Sequence, residues 1–534
     1  MNKEIKLSLK MQILLKVLFV FSLLFMNLLF LRNCDFYVLL FSLILTFIIG
    51  LVLTMKTFKN FFANINTIYA VVSLFFGTYI AKTYFNFHIL DYFNNLSYVG
   101  KFTSQHWVII SMLSIFALSC IVYLFILKIF PVIKKFYLNL SLNEKRYLAI
   151  SLIISFLATV FLYYFVRGFY FDKSVAYDIY YTSDSAALFK GNAFLNVNIG
   201  ENDLRQPLFG LFSLPFAIFA KLFSEIFYFV PNGYAVFLTV IQILLINVSV
   251  IMLCRLLKLK GLNQFLFSLI YFCTFSTVVF SFIMEQYIIG LFYLILTIYA
   301  FYESKKEVNY AYIGAVSTLL TSGILFPFIS KFKNWKYWLK NVFKCFILFI
   351  VLFIIFGQLP QIFYVVERIK VLFGFSGEKL LFSEKLVQYL AFVRSIFIFP
   401  KSGFMLDKVT HLPSYRVLDI YGFSLIGIGI LILCLISFIL NRKNKMAIIS
   451  SVWILFSFVL LCVVGWGTAE NGLILYSLYF SWAFIILLYL LIDKIIKNKK
   501  FKFGLIILIC ICLCIINIPE YINLIQFGLQ HYGR

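Results

Sequence analysis

Apolar residues fill this chain in runs of about 17 to 25, separated by short polar loops, and a helical run of that length matches the hydrocarbon thickness of a bilayer. Segments such as ISLIISFLATVFLYYFV are apolar on every face and lack the two-residue alternation of a barrel strand. The pattern predicts an all-α polytopic membrane protein. Crossings are expected at about 11–31, 36–55, 63–84, 107–130, 147–168, 232–254, 264–282, 286–302, 341–357, 417–440, 447–464, 472–492 and 502–519, about 13 transmembrane helices in all. The first run is too long for a signal peptide and has no small-residue cleavage site, so it reads as a retained span.

The polar residues between the runs fix an expected orientation. Short loops hold most of the Lys and Arg: KTFKN (56–60), KKFYLNLSLNEKR (134–146), RLLKLK (255–260), ESKKE (303–307), KFKNWKYWLK (331–340), NRKNK (441–445) and DKIIKNKK (493–500). Cationic loops stay on the cytoplasmic side, which places the N-terminus there and the 168–206 loop outside, in the membrane of a cell. Alternation then makes Pro207–Lys221 and Tyr310–Ser330 non-crossing, whether re-entrant, interfacial or a short hairpin, since irregular backbone at membrane depth must line a protein cavity. The same map puts about sixteen of the 21 acidic residues outside, leaving Glu4, Glu144, Glu303, Glu307 and Asp493 inside. Longer outer loops account for that bias as well as outer-face chemistry does.

Composition changes the picture little. The formal charge of +25 belongs to span-flanking loops, and no soluble basic domain with stacking aromatics is present to bind nucleic acid. The ten Cys lie mostly singly within apolar runs and there are four His, which predicts neither a disulfide framework nor a zinc site.

Candidate chemistry concentrates in the 168–206 loop, which carries Asp172, Asp178, Asp184, Glu201 and Asp203. About forty residues without a helix or strand pattern, yet rich in aromatics, indicate a functional loop. In YTSDSAALFKG (181–191), Asp184 sits among Thr182, Ser183 and Ser185, and DSAALFKG predicts a short amphipathic helix with Ser183 or Asp184 at its N-cap. As an N-cap it is ordinary structure. As a partly desolvated carboxylate at the water boundary it is a general base for a hydroxyl proton. Arg205 and Gln206 precede Pro207, and a proline-opened helix with a guanidinium beside it makes an anion site suited to phosphate. Lipid-headgroup contact by Arg205 is the plain alternative. Glu285 in FIMEQYIIG, and Glu470 and Asn471 in GWGTAENGLILYSLYF, begin helices on the same outer side. The 358–416 loop, also outside, carries Lys370, Lys379, Lys385, Arg394, Lys401, Lys408 and Arg416, and basic residues there suit an anionic partner.

TSD at 182–184 and RQPLFGLFSLPF at 205–216 resemble the external-loop acid and the proline-opened helix of the GT-C superfamily of integral-membrane glycosyltransferases. MEQYIIGLFYLILTIYAF is similar to that family's later external turn, and AENGLILYSLYFSWAF to a segment of its bacterial members. The resemblance covers roughly residues 147–500 and departs from the pattern in three ways. About four spans precede the loop, Gln206 stands where the family carries His, and Ser185 follows Asp184 in place of a second acid. It implies an N-terminal transmembrane module (1–133), a GT-C-like core (134–500) with external loops 168–206 and 358–416, and a last span with a short external tail (501–534). It also implies transfer of a sugar, with inversion, from a polyprenyl-phosphate-linked donor to a glycan, lipid or protein acceptor. Asp184 would be the base. Arg205, Gln206, Lys190, Arg394, Lys401 and Arg416 would hold the phosphate, with Asp178, Glu285, Glu470 and Asn471 as further polar site residues. A divalent metal is possible, without a clear second ligand beside Asp184. A ligase or polymerase would share the site. A lipid-linked glycan carrier would instead use broken spans and mid-membrane polar groups such as Gln242 and Asn247.

Overall fold

A computed structural model describes residues 4–31, 34–56, 64–85, 104–165, 179–181, 183–190, 192–195, 206–302, 308–325, 335–363, 365–374, 376–406, 411–418, 422–469 and 472–532. The architecture is helical apart from two short antiparallel strand pairs. Among the described residues nine helices are long and apolar enough to cross a bilayer, or ten if the bent pair Leu262–Cys273 and Phe275–Phe282 counts as one span. Four shorter apolar helices, Thr67–Ala81, Tyr287–Tyr302, Val342–Ile355 and Leu425–Leu440, also coincide with expected crossings. The chain is a polytopic, all-α membrane protein.

It divides into two compact units. The first comprises residues 1–145, 195–201 and 346–365. Its helices Leu9–Phe30, Phe36–Lys56, Thr67–Phe85 and Ser104–Leu138 are predominantly apolar, so buried polar groups fix their register. Asn27, fully buried, donates to the Ile354 carbonyl at 2.6 Å and accepts from Ser42 at 3.0 Å. Gly77 lies against Ser119 so closely that a Cβ would overlap its Oγ.

The second unit holds residues 146–194, 202–345 and 366–534, and with them the candidate site. Its central helices Gly233–Leu256 and Leu473–Ile495 are each 83% buried over their apolar windows, while Leu142–Phe165 is 22% buried and faces lipid. Asn247, on Gly233–Leu256, accepts a hydrogen bond from Tyr147, and Tyr163 pairs with Thr239 at 2.8 Å. These two contacts lock Leu142–Phe165 antiparallel to its neighbour.

Three elements depart from the sequence expectation. The 264–282 crossing is bent by 66° at Thr274. The amide groups freed by the bend are answered from elsewhere: the Phe275 N–H donates to the Phe397 carbonyl at 3.1 Å and the Ser276 N–H to that of Ile396 at 3.3 Å, which the Ser276 hydroxyl also reaches at 2.9 Å. The helix expected from Pro207 instead starts at Phe209, after a turn over Gln206–Leu208 in which the Leu208 amide donates to Ser317. Expected to be non-crossing, this helix, Phe209–Ile226, has 18 residues and is long enough to span. It also lies beside the 179–195 loop, whose Phe194 packs on Phe209 and whose Phe189 packs on Tyr234 of the following helix. Third, the 417–440 crossing begins at Leu425, because Pro413–Val417 is a strand paired with Ser402–Leu406. The segment expected to break at TSG ends its α-helix at Thr318 and passes into a 3-10 turn over Leu320–Leu325.

Candidate functional site

The 179–195 loop enters as an extended tripeptide, Ile179–Tyr181, paired with the 402–417 hairpin. Tyr181 donates to the Tyr415 carbonyl at 2.9 Å and the Tyr415 amide donates to Ile179 at 2.8 Å. Tyr181, at φ +56°, then turns the chain sharply. That conformation is costly for a residue with a Cβ, and burial offsets it. The Tyr181 ring, 2% exposed, packs edge-on or tilted against Phe275, Phe280, Phe399 and Tyr415. Tyr180 packs on Phe527 of the last helix, Lys499–Tyr532.

Beyond the turn, Ser183 and Ser185 face each other at 3.2 Å, and Asp184 caps helix Ser185–Lys190 through its carbonyl, which accepts from Leu188 at 2.9 Å. The Asp184 side chain is half-buried. Its main-chain N–H donates at 2.8 Å to Oε1 of Glu285, a residue 101 positions later and 1% exposed. Glu285 lies in the extended link between helices Phe275–Phe282 and Tyr287–Tyr302. Its carbonyl accepts from Gln242 at 3.2 Å. Gln242 and Asn247 are therefore engaged in holding helices and the Glu285 link together.

Tyr287 packs on Tyr476, and Trp466 donates to the Tyr476 hydroxyl at 2.8 Å, which brings the 465–476 turn against the Glu285 link. Glu470 and Asn471 themselves lie outside the described residues. So do Arg205 and Asp178. Lys190 is described only as the last residue of its helix. Gln206 is 1% exposed, and its Oε1 has no hydrogen-bond partner among the described residues. Arg394 is half-buried in the last turn of helix Phe382–Ser395, Lys401 is exposed at the foot of the hairpin, and Arg416 on the hairpin donates to Ser414 at 3.2 Å.

Compared with known proteins, the chain matches no family model, no curated protein and no solved structure. Its chemistry is argued from its own residues. Burial pushes the Tyr180 and Tyr181 hydroxyls above their ordinary range and that of Tyr415 up to about 12, where Glu520 adds to the effect. All three rings are uncharged near neutrality and serve as packing and hydrogen-bonding groups. No group of three or more His, Cys, Asp or Glu among the described residues could hold a metal ion.

Sequence reasoning missed Asn517. Buried to 1%, it accepts from the Phe399 amide at 2.8 Å and donates to the carbonyls of Phe397 at 2.9 Å and Cys273 at 3.2 Å. One side chain thus joins the last helix, the bend before Glu285 and the turn leading to Lys401. A lone Asn two residues before Pro519 in the apolar run IINIPEYI was the available signal.

Proposed function

We propose that the chain is a membrane glycosyltransferase that moves a sugar from a polyprenyl-phosphate-linked donor to an acceptor hydroxyl on the extracytoplasmic face. The observation that carries this reading is the 2.8 Å contact between Asp184 and Glu285, which joins the external-loop acid to the later external turn. Those are two of the elements on which the GT-C resemblance rests. Asp184 takes the acceptor proton as the oxygen attacks the anomeric carbon. The bond from that carbon to the lipid phosphate breaks, and the configuration inverts. Arg394, Lys401 and Arg416, with Arg205, Lys190 and Gln206 from the loop, bind and stabilise the departing phosphate. A lipid-linked donor requires no nucleotide pocket, in keeping with a sequence that carries no Gly-rich phosphate loop. In this reading the lysine-rich loops are cytoplasmic, the four shorter apolar helices cross, and Phe209–Ile226 is interfacial.

A polymerase or ligase would use the same groups with a larger acceptor. The carrier alternative loses support because Gln242 and Asn247 are engaged in helix-to-helix and helix-to-link bonds.

The test is mass spectrometry of cell-envelope glycans from the native host, comparing wild type, a deletion and Asp184→Asn at equal protein abundance. The Asn variant should lose the same sugar as the deletion, with a fall of about 10²- to 10⁴-fold. Normal glycans in the Asn variant beside altered glycans in the deletion would remove Asp184 from the chemistry.

A further inference from the structure

We propose that Glu285 is a positioning residue that sets where Asp184 stands, an inference that rests on the reading of Asp184 as the base. An N-cap residue accepts the first helical hydrogen bond through its carbonyl, but its own N–H lies outside the helix ladder. Where such a cap is self-sufficient, a Glu or Gln three residues on reaches back to that N–H. Here that third position is Ala187, which has no such group. Glu285 supplies the missing carboxylate from another part of the chain, with Oε1 at 2.8 Å from the Asp184 nitrogen.

Burying a carboxylate to 1% exposure is expensive, so a site that keeps one has a use for it. An exposed Asn or Ser could cap this loop at less cost. What only a buried, fixed acceptor provides is rigidity. Glu285 is held by the Gln242 bond to its own carbonyl, and Gln242 sits fully buried on one of the unit's two central helices. The sequence of contacts from Gly233–Leu256 to Gln242, Glu285 and Asp184 transmits the position of a core helix to the tip of the external loop. A base must stay within hydrogen-bonding reach of its proton, so losing this anchor loosens the geometry while leaving the Asp184 carboxylate in place.

The test uses the full-length protein in membranes, with Glu285→Gln and Glu285→Ala at abundance equal to wild type. Gln keeps an oxygen acceptor at the same reach and Ala removes it. Amide hydrogen exchange of peptides covering 181–190 should accelerate by about tenfold or more in the Ala variant and little in the Gln variant. The glycan product should fall by about tenfold or more in Ala and stay within about threefold of wild type in Gln. Unchanged exchange in Ala would overturn the anchor. Loss of product in Gln with exchange still protected would overturn it too, since Glu285 would then be handling a proton itself. If the exchange results hold while Asp184→Asn makes normal product, the contact stands and the base assignment is what fails.

Discussion

The two ends of the second unit are built on opposite principles. At one end, loops 256–262, 441–445 and 496–498 join helices by short polar turns. Their contacts are exposed or simple: Lys445 lies 5.2 Å over the Tyr302 ring, Tyr489 donates to the Asn263 carbonyl at 3.3 Å, and Lys502 pairs with Asp493 at 2.8 Å. At the other end the loop around Asp184, the Glu285 link, the 402–417 hairpin, the 465–476 turn and the tip of the last helix interlock through buried rings and main-chain bonds. Connections that only return the chain to the membrane need no tertiary partners. Those at the Asp184 end have many, at the cost of a left-handed Tyr181 and a buried carboxylate. Structure that costs stability without being required for span-to-span connection supports placing the proposed chemistry at this end.

The largest stability effect should therefore come from Tyr181. Tyr181→Ala removes a ring held by four others and leaves a cavity, which is expected to cost about 3–5 kcal/mol. Thermal unfolding of the detergent-solubilised protein, followed by tryptophan fluorescence, measures it. A loss no greater than that of a lipid-facing aromatic such as Tyr164, which is 53% exposed, would break the contrast by showing the loop to be a passive connector. Next in size is Asn517→Ala. It leaves the Phe399 amide and the Cys273 carbonyl short of partners in a buried region, at about 1–3 kcal/mol. It should also disturb the Asp184 end selectively: exchange should rise in peptides covering 396–404 and 274–286, and stay as in wild type in those covering 255–263. A uniform rise across both sets would mean that Asn517 contributes to global stability alone.

How much of this was legible in the sequence depends on how local each signal is. Apolar runs of twenty residues announce themselves, and the helices fall where the runs do. Asp184 was legible as a polar residue beside a helix start, and its capping role follows from the residues next to it. The bend at Thr274 was not. A straight crossing was expected because the amide groups that a bend frees find acceptors in Ile396 and Phe397, 120 residues away from Ser276 in the case of Ile396. The early start assigned to the Pro207 helix had a similar cause, since Leu208 bonds to Ser317 before the helix forms. The basic 358–416 loop was visible only as charge. Its hairpin, docked on Tyr180 and Tyr181, depends on pairing that no pattern within SGFML or PSYRV reveals. Glu285 was legible as a helix-start acid, while its bond to Asp184 belongs to the tertiary fold.

The smallest effect expected is at the opposite end, and it sharpens the comparison most directly. The Lys502 side chain is 7% exposed and its partner Asp493 is 48% exposed. Breaking a salt bridge is severe when it strands a buried charge, as removal of either member of a dry pair does. Lys502→Met does nothing of the kind. Met keeps an apolar stem of similar length in the same place, and Asp493 is left where water already solvates it. The expected cost is about 0–1 kcal/mol, with glycan product unchanged. A double-mutant cycle with Asp493→Asn isolates the pair. Should Lys502→Met cost as much as Asn517→Ala, the lysine end would be as tightly built as the Asp184 end, and dense packing would no longer point to where this protein acts.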